Sequence, residues 1–410
     1  MRKKHLAVYI IIAAAAAGLA VAFYPHPDTG RPMAQINAPA LRDDALRVEL
    51  VAEGLQMPTS MRFLDENNLI VLQKNGEVRL VSNGTLVEKP VLKVDVENVA
   101  EQGMLGIAVA PGEPDEVYLY FTEDASGILR NRVYKFDYDP GQQALFNGTL
   151  ILDLPGEPGP FHNGGKVVIG PDDRLYTVIG DTNAGGGMLD NDAAGRAPDD
   201  KSVIYRVDRQ TGEGVYDNPF YGSENERLHR YFAYGIRNSF GLDFDPVTGR
   251  LWMTENGEDE YDEVNLVEPG LNSGWHRLMG PMARSNATES DLVLFEGAHY
   301  SDPEFSWFDS IGVTDIEFIE TGRLGGKYEN NIFVGDINSG NIYFFELNGQ
   351  RDGLVLHDGL SDLVGDSPGE ISAAAFATGF GGITDIETGP DGNIYVLSFL
   401  DGKIYRITAS

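Results

Sequence analysis

The sequence predicts an all-β chain folded as a six-bladed β-propeller, with an N-terminal signal or anchor helix before it. Six segments of the 410-residue chain share one pattern: an apolar strand, a turn rich in Pro, Asp, Gly or Asn, and a second apolar strand with aromatic residues. The 49 glycines, 20 phenylalanines and 18 tyrosines favour turns and sheets over helix bundles. Hydrophobic residues make up 42% of the chain, enough for a large core, which excludes global disorder.

Residues 1–24 are predicted to be a signal peptide or a membrane anchor. Arg2, Lys3 and Lys4 precede an apolar run from Leu6 to Phe23, and this order is typical of export signals. The run of about 18 residues is just long enough to span a bilayer as a helix, so cleavage and retention both stay open. In either case we expect the remaining chain to be extracellular or at the cell surface, contacting the membrane only through this segment.

Residues 25–45 are predicted to form an extended tether, because Pro25, Pro27, Pro32 and Pro39 fall within it. No comparable linker follows. Residues 46–410 are therefore predicted to form a single propeller domain.

Six strand pairs organise that domain. Their first strands begin near Met61, Gly106, Lys166, Gly241, Asp315 and Asp385. Repeated strand pairs at irregular spacing describe blades separated by insertions, although a β-sandwich is the alternative. Propellers close by pairing the two ends of the chain, so we expect Arg47–Val51 to lie beside Lys403–Thr408.

Charge and composition exclude several functions. There are 31 basic and 63 acidic residues, a net charge of −32, and so acidic a surface repels nucleic acid. Cysteine is absent, which excludes disulfides, thiolate metal sites and cysteine nucleophiles. The pattern Gly365–Gly369 resembles a serine nucleophile motif, but Pro368 has no N–H to stabilise an oxyanion.

Two segments contain candidate functional groups. His162 lies in the glycine-rich segment Phe161–Gly165 before the third strand pair, where an imidazole at the mouth of the fold can accept a proton; the alternative is a turn-stabilising histidine. Six carboxylates fall within Glu255–Glu263 around a glycine. They indicate either a Ca²⁺ site with oxygen ligands or a solvated loop.

Several longer motifs occur in a fixed order along the domain. They are Gly54–Thr59, Glu101–Ile107, Phe161–Gly165 with Ile179–Asp181, Ala233–Leu242, and Asp262–Val267 with Gly274–Trp275. With these motifs the chain resembles the soluble glucose and aldose sugar dehydrogenases that depend on pyrroloquinoline quinone (PQQ), the glucose/sorbosone dehydrogenase family. The resemblance implies a propeller that binds PQQ over its central axis, with an aldose as substrate and an external electron acceptor.

The resemblance also implies roles for individual residues. His162 matches the general base that takes the proton of the anomeric hydroxyl, and Arg237 matches a cation beside the quinone oxygens. Asn238 follows Arg237 in the motif. Glu101 stands where the glucose enzymes have a Gln that contacts the cofactor region.

Calcium is implied by the same resemblance. The backbone carbonyls of Gly257 and Glu258 match positions that hold a cofactor-bound Ca²⁺. Glu263 and the carbonyl near Ser273 match a second, structural Ca²⁺ site.

The sequence departs from the family where PQQ carboxylates are bound. Relatives use a Lys in the fifth repeat and an Arg-x-Arg-Asp pattern before the sixth, whereas this chain has Asn338 and Gly382–Asp385, including Thr384. Lys166 and Lys327 are the candidates to compensate for the missing cations.

Three functions follow from these observations. The first is PQQ- and Ca²⁺-dependent oxidation of an aldose to its lactone. The second is a PQQ-free, calcium-stabilised propeller that binds carbohydrate or protein, which the missing cations favour. The third is a calcium-dependent lactonase, although no inward set of Asp, Glu or Asn common to the repeats is apparent.

Overall fold

The computed structural model describes residues 38–110, 113–356 and 359–410. In these residues the strands form six sheets, and the first strand of each sheet contacts the first strand of the next, which closes a ring. The predicted six-bladed β-propeller is confirmed. The predicted signal or anchor segment, residues 1–24, and residues 25–37 of the predicted tether lie outside the described residues.

Each blade is built on antiparallel strands that run in chain order from the centre outward, except that the outer strand of blade 6 comes from the start of the domain. Blade 1 contains Pro58–Phe63, Asn68–Gln73, Glu77–Ser82, Thr85–Leu86 and Leu92–Lys93; blade 2 contains Met104–Ala110, Glu113–Asp124, Leu129–Asp139 and Ala144–Pro155; blade 3 contains Val167–Ile169, Arg174–Ile179, Val203–Asp208 and Tyr231–Tyr234. Blade 4 contains Gly241–Phe244, Leu251–Glu255, Glu260–Val267 and Phe305–Asp309; blade 5 contains Val313–Phe318, Ile332–Asp336, Ile342–Leu347 and Ala375–Thr378; blade 6 contains Ile383–Thr388, Ile394–Ser398, Lys403–Ala409 and Leu46–Glu53.

Short elements complete the blades. Val364–Gly365 pairs in parallel with the outer strand of blade 4, and Ala40–Leu41 and Leu354–Val355 add to blade 5. The helical elements of the described residues are the α-helix Pro368–Ala374 and the 3-10 helices Met188–Asp190, Glu226–Arg230, Met282–Arg284, Glu289–Asp291 and Gly322–Leu324. No helix in the described ranges has the length and apolar character that crossing a bilayer requires.

The two ends of the propeller domain meet in blade 6. Leu46–Glu53 pairs antiparallel with Lys403–Ala409, with Arg47 opposite Thr408 and Leu50 opposite Tyr405. This is the predicted closure, and it is confirmed.

The first strands surround a buried ionic group at the axis, which we call the hub cluster. It comprises Arg62, Lys166, Asp243, Asp315, Glu317, Asp385 and Glu387. The ammonium of Lys166 donates to Asp315 Oδ1 at 2.5 Å and to Asp385 Oδ1 at 2.8 Å. The described hub carboxylates come from blades 4, 5 and 6, so they do not form a set common to all six repeats. Side chains two residues apart in a strand point to the same side, and on these first strands that side faces the propeller axis.

The hub carboxylates also connect neighbouring blades. They accept backbone N–H groups across blade boundaries: Asp243 from Phe318, Asp315 from Ile386, Glu317 from Thr388, and Asp385 from Met61. Each such bond joins one first strand to the first strand of the following blade. The hub thus holds the ring together with polar contacts as well as apolar packing.

Candidate active site

His162 lies at the end of the propeller where the first strand of blade 3 begins. Its backbone adopts φ +58°, a left-handed conformation that is uncommon for residues other than glycine. The carboxylate of Glu101, from the segment between blades 1 and 2, accepts the His162 amide N–H at 2.6 Å and an Asn238 side-chain N–H at 2.9 Å. Glu101 therefore joins the segments of three blades that meet here.

The imidazole of His162 is oriented by Asp181, which follows the second strand of blade 3. His162 Nδ1 lies 2.6 Å from Asp181 Oδ1, and both side chains are largely buried. Burial alone would raise the pKa of Asp181, but bonds from His162, the Asn183 amide and Trp275 outweigh it and hold that pKa below its usual value. An ionised Asp181 selects the tautomer with the proton on Nδ1, which leaves Nε2 free to accept one.

Arg237 lies beside this pair, just before the first strand of blade 4. Its amide donates to Glu255 Oε1 at 2.7 Å, and its guanidinium donates to the Asn256 carbonyl at 3.1 Å. The guanidinium carbon is 5.3 Å from the centre of the Trp275 ring. Arg237 Nε is buried and has no hydrogen-bond partner among the described residues.

Gly180 allows the histidine and arginine segments to meet. The amide N–H of Asp181 donates to the Arg237 carbonyl at 3.0 Å. A Cβ on Gly180 would lie 2.2 Å from the Arg237 carbonyl oxygen and 2.7 Å from that of His162. No larger residue fits between the two segments without moving them.

The predicted metal-binding residues fall into two groups in blade 4. Gly257 and Glu258 lie in the turn after Leu251–Glu255, where the Gly257 amide donates to Asp262 Oδ1 at 3.0 Å and Glu258 is exposed. Glu263 is buried, and its carboxylate accepts the Gly280 amide at 2.5 Å.

Ser273 belongs to the buried group. Its hydroxyl donates at 2.5 Å to Glu255, which is paired opposite Glu263 across two strands. Oxygen donors of this kind suit Ca²⁺ in their chemistry. Within the described residues, however, no three His, Asp or Glu side chains converge closely enough to hold a metal ion.

Asn338 lies in a turn of blade 5, and Thr384 lies at the start of the first strand of blade 6. Asn338 is exposed in the turn that Asp336 closes, and the Thr384 hydroxyl donates to the Pro58 carbonyl at 2.9 Å. The compensating lysines do not reach this region: Lys166 is held in the hub, and Lys327 pairs with Asp43 at 2.7 Å on the surface.

These observations favour PQQ binding in one respect and oppose it in another. The unpartnered Nε of Arg237 fits an anionic oxygen at the redox end of a quinone. At Asn338 and Thr384 the chain lacks the cations that the family resemblance places beside the PQQ carboxylates, and each missing charge-assisted bond is worth about 1.5–3 kcal/mol.

Sequence reasoning missed part of this arrangement. The acidic, glycine-containing stretch Asp181–Asp192 predicts a mobile rim loop, yet Asp181 is 3% exposed and Asp190 is 5% exposed. The position of Asp181 in the sequence could have identified it. His162 comes before the first strand of a hairpin and Asp181 comes after the second, so the two residues lie at the same end of that hairpin. For Trp275, the sequence offers only its place in the motif Gly274–Trp275.

Comparisons with known proteins agree with this architecture. The family model described as glucose/sorbosone dehydrogenase matches residues 55–406. Aldose sugar dehydrogenase YliI of Escherichia coli is 25% identical over 368 residues, covering 86% of this chain and 90% of the relative.

Two further proteins extend the comparison. Quinoprotein glucose dehydrogenase B of Acinetobacter calcoaceticus is 26% identical over 261 residues, 57% of this chain and 52% of that protein. The crystal structure of a Thermus thermophilus protein, described as a putative oxidoreductase (glucose dehydrogenase), is 27% identical with a TM-score of 0.70, covering 88% of this chain and 99% of that one.

Proposed function

The chain belongs to the glucose/sorbosone dehydrogenase family, and from that premise we propose that it oxidises the anomeric carbon of an aldose to a lactone, with PQQ as the cofactor. The relatives named aldose sugar dehydrogenase and quinoprotein glucose dehydrogenase support this substrate class and cofactor.

One observation carries the proposal most directly: the pairing of His162 with Asp181 beside Arg237. The bond from Nδ1 to Asp181 leaves Nε2 as the proton acceptor. The hydroxyl proton of the anomeric carbon passes to Nε2, and the carboxylate of Asp181 stabilises the imidazolium that forms. The second hydrogen leaves the anomeric carbon as hydride, and PQQ, when bound, supplies its two-electron acceptor.

Arg237 contributes a fixed positive charge. Its backbone is held by Glu255 and its guanidinium by the Asn256 carbonyl and the Trp275 ring, so the charge needs little reorganisation when negative charge develops nearby. Asn238 and Glu101 hold the adjacent backbone rather than supply charge to the reaction.

Calcium and location belong to the same proposal. Ca²⁺ would be held by the carbonyls of Gly257 and Glu258, and at a second place by Glu263 with the Ser273 region. The basic and apolar start of the chain supports export to the cell exterior or retention at its surface. Electrons would then pass to an external acceptor.

A second candidate is a PQQ-free propeller that binds carbohydrate or protein. The specific observation in its favour is the cofactor cradle: Asn338 and Thr384 stand where relatives have cations, and Lys166 is committed to two carboxylates. The lactonase alternative needs a central metal, whereas three of the five described hub carboxylates, Asp315, Asp385 and Glu387, are paired with Arg62 or Lys166.

The test is a cofactor titration and an activity assay on the purified full-length protein with Ca²⁺. We expect saturable PQQ binding and dye reduction with at least one aldose. His162→Ala should lower kcat by about 10²–10⁴-fold, because the proton acceptor is lost, and should leave PQQ affinity nearly unchanged.

His299→Ala is the matched control, since that exposed imidazole lies on the outside near Glu268. Full activity of the His162→Ala protein would contradict the assigned role. A protein that binds sugar but not PQQ at high micromolar concentration would support the second candidate, and lactone hydrolysis without PQQ would support the third.

A further inference from the structure

Trp275 contacts both the partner of His162 and the side chain of Arg237. Its indole Nε1–H donates to Asp181 Oδ2 at 3.0 Å, while Asp181 Oδ1 bonds His162. The same ring lies against the Arg237 guanidinium, 5.3 Å from its carbon atom. The Trp275 side chain therefore lies between Asp181, which orients His162, and the guanidinium of Arg237.

The backbone of Trp275 is held at both of its polar groups. Its amide donates at 3.0 Å to the carbonyl of Gly235, two residues before Arg237. Its carbonyl accepts a side-chain N–H of the buried Asn191 at 2.7 Å. The ring thus has little freedom to leave Asp181 and Arg237.

The other two tryptophans show what a purely packing role looks like. Trp252 and Trp307 are fully buried in blade 4, and their indole N–H groups have no hydrogen-bond partner among the described residues. Phenylalanine would meet most of their packing requirement. The indole N–H of Trp275, in contrast, donates a hydrogen bond to the carboxylate of Asp181, which orients His162.

We propose that Trp275 is a positioning residue, which sets the orientation of the His162 imidazole relative to the Arg237 guanidinium; its catalytic consequence rests on the proposed dehydrogenase function. Without the indole N–H, a largely buried oxygen of Asp181 loses its donor, which disfavours the carboxylate form. A neutral or rotated Asp181 no longer holds the proton on His162 Nδ1. Loss of the aromatic face also frees the guanidinium of Arg237.

The first test uses NMR on the ¹⁵N-labelled full-length protein without cofactor. The three tryptophans give three indole signals, and the one missing in Trp275→Phe belongs to Trp275. In Asp181→Asn we expect this signal to move upfield, because an amide oxygen is a weaker acceptor than a carboxylate, while the other two stay in place. An unmoved Trp275 signal would overturn the proposal.

The second test compares Trp275→Phe with Trp252→Phe, which removes the same atoms from a tryptophan outside the site. In Trp275→Phe, the ¹⁵N signals of the His162 ring should no longer show a single tautomer with its proton on Nδ1. Its kcat should fall about 10–100-fold, with the sugar KM within about threefold of wild type, as expected for misplaced reacting groups. Trp252→Phe should keep the wild-type kcat.

A Trp275→Phe protein with wild-type kcat and an unchanged His162 tautomer would refute the positioning role. If that variant does not fold, the signals missing in Trp252→Phe and Trp307→Phe identify the Trp275 signal by elimination, and its shift in Asp181→Asn still decides the question. A wild-type protein inactive with every aldose would contradict the proposed function, and the two NMR results would still judge the positioning role separately.

Discussion

At the scale of single residues, the site depends on backbone positions that only a few side chains tolerate. His162 sits in the left-handed region, and its amide is satisfied by Glu101 rather than by a strand. Such a conformation costs on the order of 1–3 kcal/mol, so the surrounding contacts must over-determine it. The contacts from Glu101, Asp181 and Gly180 do so.

Gly180→Ala is predicted to separate the His162 and Arg237 segments. The added methyl would lie 2.2 Å from the Arg237 carbonyl oxygen, so the backbones must move apart. We expect unfolding stability to fall by about 1–3 kcal/mol and kcat to fall by more than tenfold. Denaturant titration and steady-state kinetics measure the two effects.

Gly222→Ala provides the comparison, because a Cβ there has no neighbour within 4 Å among the described residues. Equal activity and stability of the two variants would show that the close approach at Gly180 has no functional importance.

At the scale of elements, the first strands are held together by charges that the fold removes from water. Lys166 of blade 3 bonds carboxylates of blades 5 and 6, and Arg62 of blade 1 bonds Glu387 of blade 6. Buried charges are costly alone and tolerable in pairs. The ring therefore depends on each cation of the hub cluster keeping its partners.

Lys166→Met is predicted to destabilise the propeller by about 3–5 kcal/mol, because Asp315 and Asp385 lose their shared cation in a buried site. Lys89→Met, on the exposed surface, should stay within about 0.5 kcal/mol of wild type. Adding Asp315→Asn and Asp385→Asn to Lys166→Met should restore part of the loss in denaturant titrations. A stable Lys166→Met protein would contradict this account of the hub.

The turn of blade 5 that carries Asn338 gives a pH-dependent prediction. Asp336 accepts amide N–H groups of Ser339 and Gly340, yet burial raises its pKa to about 7. Between about pH 4 and pH 7 the folded protein keeps this proton and the unfolded chain releases it, so this residue makes stability fall as pH rises.

Asp336→Asn should remove that contribution. Between pH 5 and 7, the slope of the unfolding free energy against pH should then become less negative, by an amount that corresponds to at most one bound proton. Glu66→Gln, an exposed carboxylate change, is the control and should leave the slope unchanged. A slope unaltered by Asp336→Asn would show that Asp336 is ionised in the folded protein at these pH values.

At the scale of the whole molecule, net charge is expected to influence which electron acceptors the proposed dehydrogenase uses. The chain carries −32, and carboxylates of Glu101 and Asp181 lie within the site itself. Fields of this size change encounter rates by about 10–10³-fold at low ionic strength. Under the proposed function, we therefore expect the acidic propeller to favour cationic acceptors.

A cationic acceptor such as hexaammineruthenium(III) is predicted to be reduced at least about tenfold faster than ferricyanide at 10 mM salt. The gap should narrow to about threefold at 0.5 M salt, because the Debye length shortens. An uncharged dye should respond little to salt. Equal rates for the two ions at low salt would contradict charge-based selection.

The sequence by itself determined the class of fold and identified His162 and Arg237 as the candidate functional groups. Strand periodicity, turn residues and six repeats are local properties, and they predicted the blades and the closure of Leu46–Glu53 on Lys403–Ala409. His162 and Arg237 were found through motifs. The part of the candidate site that lies within contiguous motifs was therefore predictable from the sequence.

Only the tertiary structure decided which side chains support those groups. Asp181, Trp275 and Glu101 come from three different parts of the chain, and Lys166 turned toward the hub rather than the site. The physical reason is that a propeller brings together strand ends separated by tens to hundreds of residues. Their distances depend on how six sheets pack, which no local pattern specifies.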